Sequence, residues 1–387
     1  MQYLKAAYRV AASYAVSIAI LFFLLVLTLL GTLEQIDHGL FAAQQKYFSA
    51  LFVVQEVFGH PILPLPGVYL LLILLFINLT LGGIMRFRPG WSHVGVLIAH
   101  LGILFMLLGG FVTFKYSTDG HLTLYEGERS NEFQSYFDWE IAITEVRTDG
   151  PAKAFIIPGA QFTHLKPGEN VTFHRDDLAF DLVLSDYAPN AEVRPAMPGS
   201  DASKSVGNLV LQPRPLEPEG ERNVAGLRAK AAVKNEAVTQ EGLLWGLSSA
   251  PFRVTAGGQA YDLTLRRRSW QLPFEVVLDD FTRELHPGTS KPSSFSSDVT
   301  VIEPQATQQI HISMNKPLRY KGYTLFQASW GPQDAGPNDR LFSTFAVVKN
   351  PADHWPLYAC IVITIGLLFH FCYRLIMHLR KEARVSS

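Results

Sequence analysis

The chain has 387 residues, 48 % of them hydrophobic and 17 % charged, with a net charge of −1. This is at the apolar extreme for a soluble protein, and the balanced charge, with no basic run or interleaved aromatics, gives no sign of a nucleic-acid partner. Only two cysteines occur, Cys360 and Cys372, both in one C-terminal apolar segment, so the rest of the chain carries neither a disulfide nor a C-x-x-C redox pair.

The first element spans about 10–33 and contains no charged side chain between Val10 and Leu33. Lys5 and Arg9 precede it as they would a secretory leader. Its apolar core is nevertheless too long for one, and no small-residue cleavage site closes it, so it reads as a retained membrane span. Segment 34–66 follows as a short outer loop. Within it "IDHGLFAAQQKYFSALFVVQEVFG" shows helical spacing at Leu40, Tyr47 and Leu51. That fits either a helix lying on the outer membrane surface or one packed against the large domain. Further uncharged runs at 67–85, 91–114 and 355–373, the last within a helix expected over 355–377, each match the roughly 20 residues that cross a bilayer as a helix.

Residues 115–354 alternate instead with a period of two: "WEIAITEV", "LAFDLVLSDY", "AYDLTLRRR", "FEVVLDDF", "DVTVIE" and "TFAVVKN" read as separate strands. The Pro-, Gly- and Ser-rich stretch 192–223 reads as a long loop or a boundary between two lobes. The expected fold is therefore an integral membrane protein with four transmembrane α-helices, three N-terminal and one C-terminal, plus a large, outer, predominantly antiparallel β domain. Lys5, Arg9, Arg86, Arg88, Arg374, Arg380, Lys381 and Arg384 fall on one side of such an arrangement, while loop 34–66 carries Glu34, Asp37 and Glu56 against Lys46. The positive-inside rule then puts both termini and the tail 378–387 in the cytoplasm and the β domain outside.

In the third span Gly95, Ala99, Gly102 and Gly109 form a small-residue seam that admits a neighbouring helix. His93 and His100 lie about 140° around the helix from it, at about 100° per residue. If the seam faces the other helices of the chain, the histidine stripe faces lipid, where an imidazole without partners is costly. A partner subunit or a bound metal would remove that cost. So would a hydrogen bond to a neighbouring backbone carbonyl, and the pattern alone leaves the choice open. His93, beside Trp91 and Ser92, reads as interfacial; His370 and His378 read as side chains reaching toward water.

The segment "LPFEVVLDDFTRELHPGTSKPSSFSSDVTVIE", followed by "ISMNKPLRYKGYTLFQASWGP", resembles the ResB (CcsB) family of System II cytochrome c biogenesis proteins, as do "HLGILFMLLGG" and "LTLYEGE". The resemblance rests on Asn315, Pro317, Leu318, Tyr320, Gly322, Tyr323, Gln327 and Ser329. It implies a subunit that works with a CcsA-type membrane protein in the bacterial inner membrane. Together the two would carry haem b across the bilayer and support its thioether attachment to the C-x-x-C-H thiols of apocytochrome c. By the same resemblance His100 is an axial haem ligand, with the second ligand given by the partner. Arg86 and Arg88 then either meet haem propionates or act as topology signals. No tryptophan-rich haem segment and no C-x-x-C-H occurs in this chain, so the partner is a separate protein. Two rivals stand beside this reading: a scaffold in which His100 only packs, and an envelope thiol-redox or sensor protein, which the missing outer cysteine pair disfavours.

Overall fold

The computed structural model describes residues 2–54, 56–57, 60–61, 64–87, 89–147, 153–196, 205–289, 292–332, 335–336 and 339–385. Arg88 lies outside the described residues. The chain divides into two compact units, a helical one of Met1–Thr118 with Lys349–Ser387 and a β-rich one of Asp119–Val348.

In the helical unit, α1 (Gln2–Ala11) precedes α2 (Tyr14–Ala43). Ser13 separates them, its extended backbone and side-chain oxygen capping α2 through the Val16 N–H at 3.4 Å. The carbonyls freed by this break are met by Asn78, an amide buried inside the otherwise apolar α3 (Val68–Leu79). Its Nδ2 donates to Ala11 O at 2.7 Å and Ser13 O at 3.2 Å, and its Oδ1 accepts from the Ser17 hydroxyl at 2.6 Å. A polar residue in a membrane helix is thus explained by the broken helix beside it. Arg86 serves the same junction, donating to Ala12 O at 3.3 Å.

α2 does not stop at 33, where the first span was expected to end. It runs to Ala43 through a bend at Gly39 (φ 76°) and continues as a π-helical turn, Gln44–Phe48. The expected outer amphipathic helix is therefore continuous with the first apolar helix. Of its proposed stripe, Tyr47 is fully buried in the helix core with Ile20, Leu27 and Leu71, whereas Leu40 and Leu51 are exposed. Glu34 holds the turn by accepting from Lys46 Nζ at 2.8 Å and Tyr47 OH at 3.2 Å.

Among the described residues, three helices are long and apolar enough to cross a membrane: Tyr14–Phe48, α4 (Trp91–Tyr116) and α5 (Trp355–Val385). The remaining expected span is a shorter apolar helix, Val68–Ile84, made of α3 and a π-helical turn, Thr80–Ile84.

The glycine seam of α4 packs on α5. A Cβ on Gly95 would sit 2.5 Å from Gly366 O, one on Gly102 2.6 Å from Ile363 Cγ1, and one on Gly109 3.2 Å from Trp355 Cβ. Gly366 answers from α5, where a Cβ would lie 2.6 Å from Ala99 N. Small residues on both helices let the two backbones approach, which is how apolar helices gain packing where lipid offers no hydrophobic drive.

The β unit is built on two long antiparallel strands, Arg129–Val146 and Gln259–Leu285. The second joins the expected strands "AYDLTLRRR" and "FEVVLDDF", which alternation read as separate. Both cross two hydrophobic cores. In one, Trp139, Ile141, Leu263 and Leu265 pack on Phe180, Leu182 and Leu227; in the other, Phe133, Phe274, Val276 and Leu278 pack on Val299, Leu325 and Phe345. Between the cores the register shifts: Arg267 pairs with Trp139 but Ser269 pairs with Gln134, so residues 135–138 loop out as a wide bulge. Stretch 192–223 is not simply a loop. It contributes Ala191–Pro195, Ser205–Val206 and Leu209–Pro213 to a three-stranded antiparallel sheet, with 197–204 outside the described residues.

Candidate functional site

His100 projects from α4 toward α3. A Cβ built on Gly83 would lie 3.2 Å from both Cγ and Nδ1 of its ring, so the imidazole rests on the bare backbone of the π-helical turn. This corrects the expectation that the histidine stripe points away from the chain's own bundle. The reason is local: Gly83 lacks the side chain that would hold the His100 ring away, while its neighbour Gly82 serves the α1–α2 break, where a Cβ would lie 2.9 Å from Ala12 O. His100 Nδ1 is buried and has no hydrogen-bond partner among the described residues. No neighbouring carbonyl takes it, and the polar cost stands unmet inside an apolar helix bundle.

The structure sorts the other histidines clearly. His370 does not reach toward water; its Cβ abuts Gly95 in the helix crossing, and its Nδ1 too is buried without a partner. It meets the seam face of α4, whereas His100 occupies the α3 face, so the two are not brought together. His93 is exposed and shares a 3.0 Å hydrogen bond with Ser92. His378 is exposed and pairs with Glu382 at 3.2 Å. Arg86 is engaged in capping the α1–α2 break, as above, and both cysteines are free thiols on α5. Among the described residues no three His, Cys, Asp or Glu side chains gather as a metal-binding group. A metal bound through His100 would thus have to bring its other ligands with it. A metalloporphyrin does so, and the unpartnered Nδ1 of His100 is a donor that its iron could take.

The sequence reading missed a second group of titratable residues, at the bulge of the β unit. Ser135 Oγ holds that bulge by accepting the N–H groups of Phe137 at 3.2 Å and Asp138 at 3.0 Å. The Tyr136 ring meets His121 at 5.0 Å between centroids, and Arg267 lies 4.0 Å over Trp139 while donating to Glu221 O and Asn223 O. Burial pushes the Tyr136 and Tyr187 phenols up to about 12 and the Arg267 guanidinium down to about 10. Burial first, then the nearby Arg267 charge, lowers His121, whose Nδ1 is also buried and unpartnered. The only trace in the sequence is a histidine in an alternating strand, "GHLTLY"; the bulge that surrounds it is a property of strand pairing.

The segment that follows carries the relationship to known proteins. Leu318–Tyr320 and Tyr323–Gly331 form a hairpin whose two turn residues, Lys321 (φ 46°) and Gly322 (φ 80°), both adopt left-handed backbone, the geometry that matches strand twist. Gln327 points inward to a closed polar cluster: it accepts from Ser297 Oγ at 2.8 Å and donates to Ser343 Oγ at 2.7 Å, all three side chains being buried. Residues 249–340 match the ResB-like family.

This stretch is ResB-like. Relatives agree with it over similarly short lengths. Seventy-nine residues are 41 % identical to cytochrome c biogenesis protein CcsB of Prochlorococcus marinus strain NATL2A, covering 20 % of this chain and 18 % of that protein. Ninety-three residues are 33 % identical to CcsB of strain MIT 9313, covering 23 % and 21 %. Protein NrfI of Wolinella succinogenes is 32 % identical over 77 residues, 19 % of this chain and 8 % of its own length. The matches therefore span about a fifth or less of these relatives. The ResB-like segment lies wholly in the β unit, so His100 is outside it, and Gln327 and Ser297 within it serve to build the fold.

Proposed function

We propose that this protein is a membrane subunit of a System II cytochrome c synthase. In this reading it works with a CcsA-type partner in the bacterial inner membrane, with both termini cytoplasmic and the β unit outside. Haem b is the cargo, held through His100 and passed on for attachment to apocytochrome c. The single observation that carries the ligand role is the buried, unpartnered Nδ1 of His100 beside Gly83. A ring nitrogen there loses water and gains no hydrogen bond from the described residues, and iron accepts a neutral ring nitrogen well. The ResB-like segment and its similarity to CcsB proteins of cytochrome c biogenesis support the pathway.

The test is to co-express the chain with a CcsA-type partner, purify the complex and record its haem spectrum. The His100→Ala variant is expected to lose most bound haem, and added imidazole to restore it. An unchanged spectrum would overturn the ligand role. It would favour a scaffold, a reading that also has an observation behind it, since the His100 ring packs against its own chain.

A further inference from the structure

Ahead of the first membrane-crossing helix the chain sets a separate one, α1, and none of its residues is buried. Its sequence, QYLKAAYRVA, is nevertheless two-sided. At about 100° per residue, Tyr3, Leu4, Ala7, Tyr8 and Val10 share one face, while Gln2, Lys5 and Arg9 share the other. Tyr8 ties an edge of the apolar face to the bundle, its hydroxyl donating to Leu81 O at 3.4 Å. The rest of that face is uncovered: Tyr3 is 92 % exposed, Leu4 79 % and Val10 63 %.

The break that separates α1 from α2 is held, not frayed. Asn78 and Arg86 take the carbonyls of Ala11, Ala12 and Ser13, and Gly82 passes where a Cβ would lie 2.9 Å from Ala12 O. α2 begins at once beyond it, and its exposed Ile18, Leu21, Phe22 and Leu25 need hydrocarbon around them. The lipid that covers them therefore starts beside the junction, and α1 sits at its boundary. Trp91, an exposed ring of the kind that favours such boundaries, opens α4 at the same end. Its 6.5 Å contact with Phe369 brings the C-terminal part of α5 there as well.

The charge at this end has one sign. No acidic residue precedes Glu34, and none lies between Gly67 and Phe114. Lys5, Arg9 and Arg86 are joined by the basic end of α5, Arg374 to Arg384, where Glu382 is the single acid.

We propose that α1 is an interfacial helix whose uncovered face lies in the bilayer surface, with Lys5 and Arg9 binding the anionic headgroups of phospholipids in that leaflet. A basic amphipathic helix gains twice there, from the area it buries at the acyl boundary and from the negative potential of the headgroups. Lipid is the occupant because it already covers α2 next to α1, and because the polar face offers only cations and an amide. Docked in this way, α1 fixes the depth of the junction. The inference needs only that α2 and α4 cross a membrane, and it stands apart from the haem reading.

The test uses the full chain with Cys360 and Cys372 replaced by serine. A bimane fluorophore is attached at Leu4→Cys, on the apolar face, or at Gln2→Cys, on the polar one. The protein is placed in nanodiscs of phosphatidylcholine and phosphatidylglycerol in equal amounts, with acyl-chain bromines, which quench bimane on contact, carried by one lipid or the other. The Leu4 label is expected to be quenched more strongly than the Gln2 label. Brominated phosphatidylglycerol is expected to quench it at least about threefold more than brominated phosphatidylcholine. Lys5→Gln with Arg9→Gln is expected to abolish that preference, added salt to weaken it, and Lys5→Arg with Arg9→Lys to keep it. All four positions are exposed, so none of these changes disturbs the packed bundle. Equal quenching of the two labels would overturn the in-plane face. Equal quenching by the two lipids, or a preference that survives in the glutamine variant, would overturn headgroup binding by Lys5 and Arg9. Absence of quenching would give the face to a protein partner and overturn the proposal as a whole.

Discussion

At the scale of single residues, this protein leaves three ring nitrogens buried and unpartnered among the described residues, those of His100, His121 and His370. For His121, which lies outside the helices, the consequence is a pH dependence with a definite sign. Its folded value is depressed from the ordinary 6.5, so the unfolded chain binds the proton more readily. Stability therefore rises with pH through this window and is lost as pH falls below about 6.5, until the folded-state value is passed. Thermal unfolding of the natural chain should show this loss as pH is lowered below about 6.5, and His121→Phe should flatten it. Equal slopes in the two proteins would remove the assignment. Asn78 presents the opposite situation, a buried polar group fully used. Asn78→Leu strands the carbonyl of Ala11 at the α1–α2 break and should cost about 1–3 kcal/mol, read from denaturant unfolding in detergent.

At the scale of elements, the α4–α5 crossing divides the glycines of one helix between two roles, close contact and open space. Gly95→Ala places a methyl 2.5 Å from the Gly366 carbonyl and 2.6 Å from His370 N, both backbone atoms that cannot swing aside. The helices must separate, at about 1–3 kcal/mol, typical of overpacking. Gly110→Ala should be neutral or slightly stabilising, because alanine is the better helix former and the space is open. If both alanines proved equally harmful in the same unfolding experiment, the division of roles would be wrong. The long strands show a similar economy: one pair of strands supplies both cores of the β unit, and the bulge that reconciles their registers is where its buried titratable groups collect.

At the scale of the whole molecule, the apolar faces of α2, α4 and α5 remain exposed, with Phe22, Leu101, Leu368 and Phe371 among the uncovered side chains, as lipid-facing helices require. The outer placement proposed for the β unit rests on charge asymmetry and can be checked directly. With Cys360 and Cys372 replaced by serine, a single cysteine at the exposed Glu236 should react with a membrane-impermeant maleimide in intact cells. Labelling only after lysis would reverse the topology and, with it, the outer role given to the β unit.

The sequence by itself determined what depends on local pattern. Uncharged runs of sufficient length marked the helices, alternation marked most strands of the β unit, and a seven-residue glycine spacing announced the seam that α5 occupies. These features are properties of one segment and its solvent, so no partner is needed to read them. Other features are made by pairs of segments. Alternation alone could not join "AYDLTLRRR" to "FEVVLDDF", because a strand's continuity is set by the neighbour it pairs with. Helical spacing grouped Leu40, Tyr47 and Leu51, but the bend at Gly39 and the turn at Gln44–Phe48 buried only Tyr47. The surroundings of His100 were decided in the same way: helix periodicity gives the direction of the ring relative to the seam, and only the tertiary structure shows that Gly83, in the π-helical turn after α3, lies in that direction.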